Sequence, residues 1–345
     1  MWPDLQPSAH WWQGLPLPLA FLWGLAVFLL GVRLLARSLE SVAGGTAERM
    51  LKQLAATPAR AFALGAIVSA LLHSSGITAA SSIALVHAGI FSESQGFAVI
   101  LGANIGTTFT AQLATLSWSG LIGPLILTGT LLFFLGAFRC NPRLWGAGGA
   151  LEGLGGLFWG IEAMSVVAAA WAAQPEAVAV VRRFSGSPWA SAGLGMVVAA
   201  ALQSSTATVG LAMVAYARGL LPLPAAVAVV LGANVGTSCQ GLLTSVGTQV
   251  SSRRAAVADF LFNLFGVLVV LPWLGVLTPW LLRWAGSPER QVANAHTFFN
   301  VFTATIALRF RHHLLGAAAW LTGGGEDGRA ARKCPVGRKL VAGSE

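Results

Sequence analysis

Apolar residues fill the chain in long runs, and short polar clusters interrupt those runs at recurring places. Leu17 to Leu35 is one apolar span, followed by a polar stretch from Ala36 to Arg60. Ala61 to Ile90 is apolar except at His73-Ser74-Ser75-Gly76, and Gly96 to Trp118 is apolar except at Gly102-Ala103-Asn104-Ile105-Gly106-Thr107-Thr108. Leu121 to Phe138 is a cleaner span, closed by a polar joint at Arg139 to Arg143. A Gly-rich helix is predicted over Gly146 to Ala173, then a loop carrying Arg182 and Arg183. Ser191 to Tyr216 is broken by Gln203-Ser204-Ser205-Thr206, and Leu223 to Leu243 by Gly232-Ala233-Asn234-Val235-Gly236-Thr237-Ser238. Two further spans cover about Ala255 to Leu282 and Val292 to Leu308. At about 20 apolar residues per crossing, roughly eight to ten segments fit. The pattern predicts an all-α polytopic membrane protein. It divides into an N-terminal segment (1–16), a first transmembrane repeat (17–143), a second repeat with extra C-terminal helices (144–320), and a basic, Gly-rich tail (321–345) that reads as disordered.

The halves are copies. Asn104 and Asn234 are 130 residues apart (234 − 104 = 130), as are Ser74 and Ser204, and the offset holds without a gap from Leu71 to Leu116. Single Ala and Leu matches arise by chance in an apolar background, but a shared Ser-Ser and a shared Gly-Ala-Asn-x-Gly-Thr do not. Internal duplication of this kind marks many secondary transporters.

Charge suggests that the copies are inverted. Arg33, Arg37, Arg49, Lys52 and Arg60 precede the first Ser-Ser, whereas only Arg182 and Arg183 precede the second. After the Gly-Ala-Asn motifs the pattern flips: Ser117-Trp118-Ser119-Gly120 is uncharged and Arg253-Arg254 is basic. By the positive-inside rule the first pre-motif loop, the second post-motif loop and the tail are expected to be cytoplasmic.

Composition narrows the classes. Of 345 residues 55% are hydrophobic and 10% charged, with a mean hydropathy of +0.71. Soluble domains carry about 25% charged residues, so a soluble enzyme, a nucleic-acid binder, a coiled coil and a disordered chain are excluded. The net charge of +9 is expected to face lipid headgroups and cytoplasm rather than nucleic acid. Three cysteines without paired spacing give neither a disulfide framework nor a transition-metal site. Eighteen Arg against three Lys hints at a GC-rich bacterium, hence a bacterial inner membrane.

The interruptions carry the chemistry. Ala61 to Leu72 makes about 18 Å of helix, too short for a hydrocarbon core of about 30 Å. Two short helices meeting at a polar Ser-Ser turn therefore predict a re-entrant hairpin, which survives at membrane depth only where it is buried or lines a cavity. Its tip offers a helix N-terminus with free N–H groups and hydroxyl donors, an anion site. No Lys or Arg lies within either motif, so co-bound cations are expected to complete the charge balance. Gly102, Gly106, Gly232 and Gly236 are expected to unwind their helices, presenting carbonyls, Asn104, Asn234 and Thr hydroxyls as hard oxygen ligands suited to sodium. The alternative is a glycine packing notch with Asn bridging helices. A third doublet is Ala256-x-x-Asp259-x-x-Phe262-Asn263 and Ala293-x-x-His296-x-x-Phe299-Asn300, where an intramembrane Asp or His is either functional or an interhelical hydrogen bond.

From about Leu19 to Leu308 these residues resemble the sodium/phosphate cotransporter family, the type II group and its bacterial relatives. Gln203-Ser204-Ser205-Thr206, both Gly-Ala-Asn motifs and Ala293 to Asn300 carry the likeness. The resemblance implies sodium-coupled movement of inorganic phosphate across the membrane by alternating access, with sodium as co-substrate and no cofactor. Substrate contacts would come from His73, Ser74, Ser75, Gln203, Ser204, Ser205 and Thr206. Sodium ligands would come from Thr78, Asn104, Thr107, Thr108, Thr208, Asn234, Thr237 and Ser238. Four positions depart from the family pattern: His73 stands for a Gln, Gly76 and Thr206 for a third Ser, and Asp259 for a His. A His charge can change between about pH 5 and 8, so His73 bears on pH dependence. Other readings are a transporter of another oxyanion, an anion channel, and an intramembrane serine hydrolase using Ser75 with a His. The second copy lacks that His, and Gly-x-Ser-x-Gly is absent.

Overall fold

The computed structural model describes residues 15–116, 119–284 and 286–323. The N-terminal segment through residue 14, Ser117-Trp118 of the uncharged loop and the tail from residue 324 lie outside the described residues. The protein is all-α. The first half contains α1 (Leu17–Leu54), α2 (Pro58–Leu72), α3 (Ser75–His87), α4 (Glu93–Gly106), α5 (Thr108–Ala114) and α6 (Ile122–Phe138). Next come α7 (Pro142–Ala172), α8 (Pro175–Ser185), α9 (Pro188–Leu202), α10 (Ser205–Ala217) and α11 (Leu223–Thr244). The chain closes with α12 (Val250–Val270), α13 (Leu274–Trp284), α14 (Pro288–Arg309) and α15 (Arg311–Leu321). Among the described residues five helical stretches are long and apolar enough to cross a membrane: Leu17–Val42, Glu93–Ala114, Pro142–Ala172, Leu223–Thr244 and Val250–Arg283. The paired helices α2 and α3, and α9 and α10, are apolar but shorter.

Local chemistry sets these boundaries twice at the same offset. Thr57 caps α2 ahead of Pro58, and Ser187 caps α9 ahead of Pro188. Proline suits the first helical position because its missing N–H would have no intrahelical partner there. The α2 helix stops at His73 (φ 50°) and α9 at Gln203 (φ 52°), both left-handed. Ser74 and Ser204 then cap α3 and α10. The duplication read from the sequence is thus carried into the positions of helix ends.

Four sequence expectations change. The polar stretch after Ala36 is a continuation of α1, and the Arg182-Arg183 segment is helix α8 rather than a loop. Arg253 and Arg254 lie within α12. The glycine-containing motifs do not unwind as expected. Helix α11 is unbroken through Gly232 and Gly236, and the α4–α5 junction is one residue, Thr107, with right-handed backbone (φ −65°, ψ −22°).

The glycines serve close approach instead. A Cβ at Gly102 would overlap the Phe62 carbonyl oxygen, one at Gly106 the Ala66 carbonyl, and one at Gly65 the Val99 carbonyl. In the second half Gly232 faces the Ala192 carbonyl, Gly236 the Met196 carbonyl and Gly195 the Val229 carbonyl, each at the same offset. Hence α2 lies backbone to backbone on α4, and α9 on α11. Small residues give such contact in a bilayer, where the hydrophobic effect cannot drive helix association. The same device joins α1 to α7: Gly31 abuts Leu157, and Gly153 abuts Leu35.

The halves interleave. Phe28 of α1 and Met164 of α7 share a core with Ala207 and Val214 of α10. Phe97 and Leu101 of α4 pack with Phe262 of α12 and Ala307 of α14, while Phe299 of α14 packs with Leu231 of α11. The C-terminal helices therefore wedge against both repeats.

Gly102→Ala and Gly232→Ala are expected to destabilise the purified protein by about 1–3 kcal/mol, as overpacking does. Gly241→Ala, where a new Cβ meets nothing within 4 Å, should melt like the parent. Thermal melting in detergent, followed by tryptophan fluorescence, checks the contrast.

Candidate functional site

The left-handed residue that ends α2 or α9 turns the next helix so that its N-terminus opens on one shared space. Ser74 Oγ accepts from the Ile77 N–H at 3.2 Å, and Ser204 Oγ accepts from the Ala207 N–H at 3.1 Å. The hydroxyl hydrogens of both caps remain available to donate. The N–H groups of Ser75 and Gly76, and of Ser205 and Thr206, have no intrahelical acceptor because they begin their helices. Both tips therefore present N–H and O–H donors together with the positive ends of α3 and α10. Thr78 Oγ1 donates to the Ser74 carbonyl and Thr208 Oγ1 to the Ser204 carbonyl, stiffening each first turn.

Each tip rests on the opposite half. Thr107, at the α4–α5 break, brings Oγ1 to 3.4 Å from Oγ1 of Thr206 in the second tip. Gln240 of α11 projects its Oε1 toward Gly76 of the first tip. His73 Nδ1 lies 2.9 Å from Thr110 Oγ1 of α5, and no hydrogen bond joins His73 to Ser75. Between the tips is a cavity of about 400 Å³.

All seven expected substrate contacts, His73, Ser74, Ser75, Gln203, Ser204, Ser205 and Thr206, line this cavity. Of the expected sodium ligands, Asn104, Thr107, Thr237 and Ser238 line it. Thr78, Thr108, Thr208 and Asn234 do not line it; Thr108 Oγ1 donates to the Ile105 carbonyl and Asn234 Nδ2 to the Val230 carbonyl. Ser238 Oγ likewise donates to Val235, and Thr237 Oγ1 to Ala233 and Asn234.

The motifs alone did not reveal the cavity's charges. Arg33 and Arg37 of α1, one helical turn apart on one face, line the wall. So a fixed positive charge is present where the motif windows contain none. Asp259 of α12 also lines it, holding Asn104 Nδ2 at 3.1 Å. The signal for the arginines was two charges at i and i+4 beside an apolar span.

Comparison with known proteins shows the family. The Na+/Pi-cotransporter family model matches the chain twice, over residues 27–166 and 169–307. The chain is 30% identical over 281 residues to "Uncharacterized protein YqeW" of Bacillus subtilis (strain 168), covering 81% of this chain and 90% of that protein. It is 28% identical over 295 residues to "Putative inorganic phosphate export protein YjbB" of Escherichia coli (strain K12), covering 85% of this chain and 53% of that one. The Salmonella typhimurium protein of the same name is 28% identical over 286 residues, 82% of this chain and 52% of that one. The chain thus spans about half the length of the YjbB proteins. No solved structure gives a significant match.

The left-handed turns yield a prediction. Gln203→Gly should keep or raise the melting temperature, whereas Gln203→Val should cost about 1–2 kcal/mol, the penalty of a left-handed backbone made worse by β-branching. Equal melting of the two variants would show that the turn does not govern the tip.

Proposed function

We propose, from the premise that the chain belongs to the Na+/Pi-cotransporter family, that it carries inorganic phosphate across the membrane coupled to sodium, by alternating access. It is a multi-pass membrane protein of a transporter family. The observation that carries the reading is that two duplicated helix N-termini, Ser74-Ser75 and Ser204-Ser205, face one cavity beside Arg33 and Arg37. In this reading the hairpins α2–α3 and α9–α10 are re-entrant and the two repeats are inverted, so each tip meets the other near the midplane. Phosphate oxygens accept from the Ser75 and Ser205 hydroxyls and from the first N–H groups of α3 and α10. Arg33 and Arg37 draw the anion in and offset its charge. Sodium takes oxygens from the neighbouring Asn104, Thr107 and Thr237. Rocking of one repeat against the other exposes the site to each side in turn.

The YjbB name gives export. The same site serves either direction, because the gradients of the coupled ions set net flux. A serine hydrolase is disfavoured: His73 engages Thr110 rather than Ser75, and the second tip carries Gln203 at that place.

The test is radiolabelled phosphate uptake into proteoliposomes with and without an inward sodium gradient. Gradient-driven accumulation is expected, with competition by sulfate and arsenate reporting selectivity. A hydrogen bond to a charged group is worth about 1.5–3 kcal/mol, so Ser75→Ala and Ser205→Ala should each lower uptake at limiting phosphate about ten- to a hundredfold with normal protein levels. Normal uptake in both variants overturns the reading, and so does accumulation that ignores sodium.

A further inference from the structure

A carboxylate in the wall of an anion cavity requires an explanation. Asp259 is 7% exposed. Its Oδ1 accepts from Asn104 Nδ2 and from Asn263 Nδ2, each at 3.1 Å. No described residue donates to Oδ2, and no described Arg or Lys is ion-paired with it. Asp259 nonetheless shares its cavity with Arg33, Arg37 and the two tips. An unbalanced carboxylate there repels the phosphate that the rest of the wall attracts.

The late sequence doublet sharpens the point. Asp259 occupies the place in the first member of that doublet that His296 takes in the second member, both within the second repeat, with Ala256 and Ala293, Phe262 and Phe299, and Asn263 and Asn300 in step. His296 is fully buried and does not reach the cavity. The two members of the doublet thus differ, and only the first sends an acid into the cavity.

Charge counting shows what the acid can do. Counting side chains alone, Arg33 and Arg37, both exposed, carry two positive charges against the three negative charges of Asp259 and a phosphate dianion. One monovalent cation restores neutrality. Oxygen donors for it lie along the same wall, in Asp259, Asn104 and Thr107, and hard oxygens suit an alkali ion. We propose that Asp259, oriented by Asn104 and Asn263, is the seat of one sodium ion that binds together with phosphate, a role that rests on the transport reading above. Sodium at Asp259 turns a repelling charge into a neutral pair, so each ion raises the affinity of the other by the same factor.

The experiment is equilibrium binding of radiolabelled phosphate to the purified full chain, in sodium chloride and in choline chloride at equal ionic strength. Sodium should tighten phosphate binding by about tenfold or more in the parent, within the usual span of such couplings. In Asp259→Asn the sodium effect should vanish, and binding in choline should be at least as tight as in the parent, because the repelling charge is gone. An undiminished sodium effect in Asp259→Asn overturns the proposal, as does loss of phosphate binding in a variant that melts normally. Should Asp259→Asn not fold, Asn263→Ala, which removes one of the two amides orienting the carboxylate, carries the test. It should shrink the sodium effect severalfold without changing binding in choline, and an unchanged effect overturns the site. A sodium-independent parent whose binding tightens on acidification in a His73→Gln background, and loses that response with Asp259→Asn, replaces sodium by a proton and overturns the assignment. A parent that binds no phosphate in either salt defeats the transport reading itself, which separates the two failures.

Discussion

A helix that stops between two apolar runs leaves backbone N–H and C=O groups without partners, and that cost governs the rest of this structure. The chain incurs it twice, at Leu72 and Leu202. The carbonyl end of each break is turned by a left-handed residue, His73 or Gln203, whose N–H returns to the preceding helix. On the amino side a serine covers one orphan N–H and leaves the first two uncovered. Those uncovered groups are the useful ones. They can be left open only in a polar cavity, and the cavity exists because α4 and α11 hold the short helices in place through glycine contacts that admit no side chain. Site and scaffold therefore follow from one constraint.

Much of this is written in the residue pattern. The two Ser-Ser interruptions, their common offset and the shortness of the flanking helices all survive in the structure, because capping is local and depends on residues only a few positions apart. All seven residues expected at the tips line one cavity. The glycine-rich motif was harder to read. Glycine permits both unwinding and close approach, and only the facing carbonyls of Phe62 and Ala192 decide between them. The sodium-ligand candidates split for a related reason. Asn104, Thr107, Thr237 and Ser238 line the cavity while Thr78, Thr108, Thr208 and Asn234 do not, and spacing alone does not reveal which side of a helix the cavity meets.

The charged groups of the cavity were the least legible. Arg33 and Arg37 belong to α1, well before the first tip in sequence, and reach the wall only because α1 packs along α7 and beside α10. Asp259 meets Asn104 across 155 positions of chain. Contacts at such separation leave no local signature. They change the electrostatic account, because the wall carries its own cations and one acid in place of two uncharged tips.

The central claim is that the two halves build one anion site between them. The most direct test is the stoichiometry of phosphate binding to the purified chain, by equilibrium dialysis in sodium chloride. The account predicts one phosphate per chain at saturation with a single dissociation constant. Two phosphates per chain, binding independently, would mean that each tip is a site of its own and would contradict it.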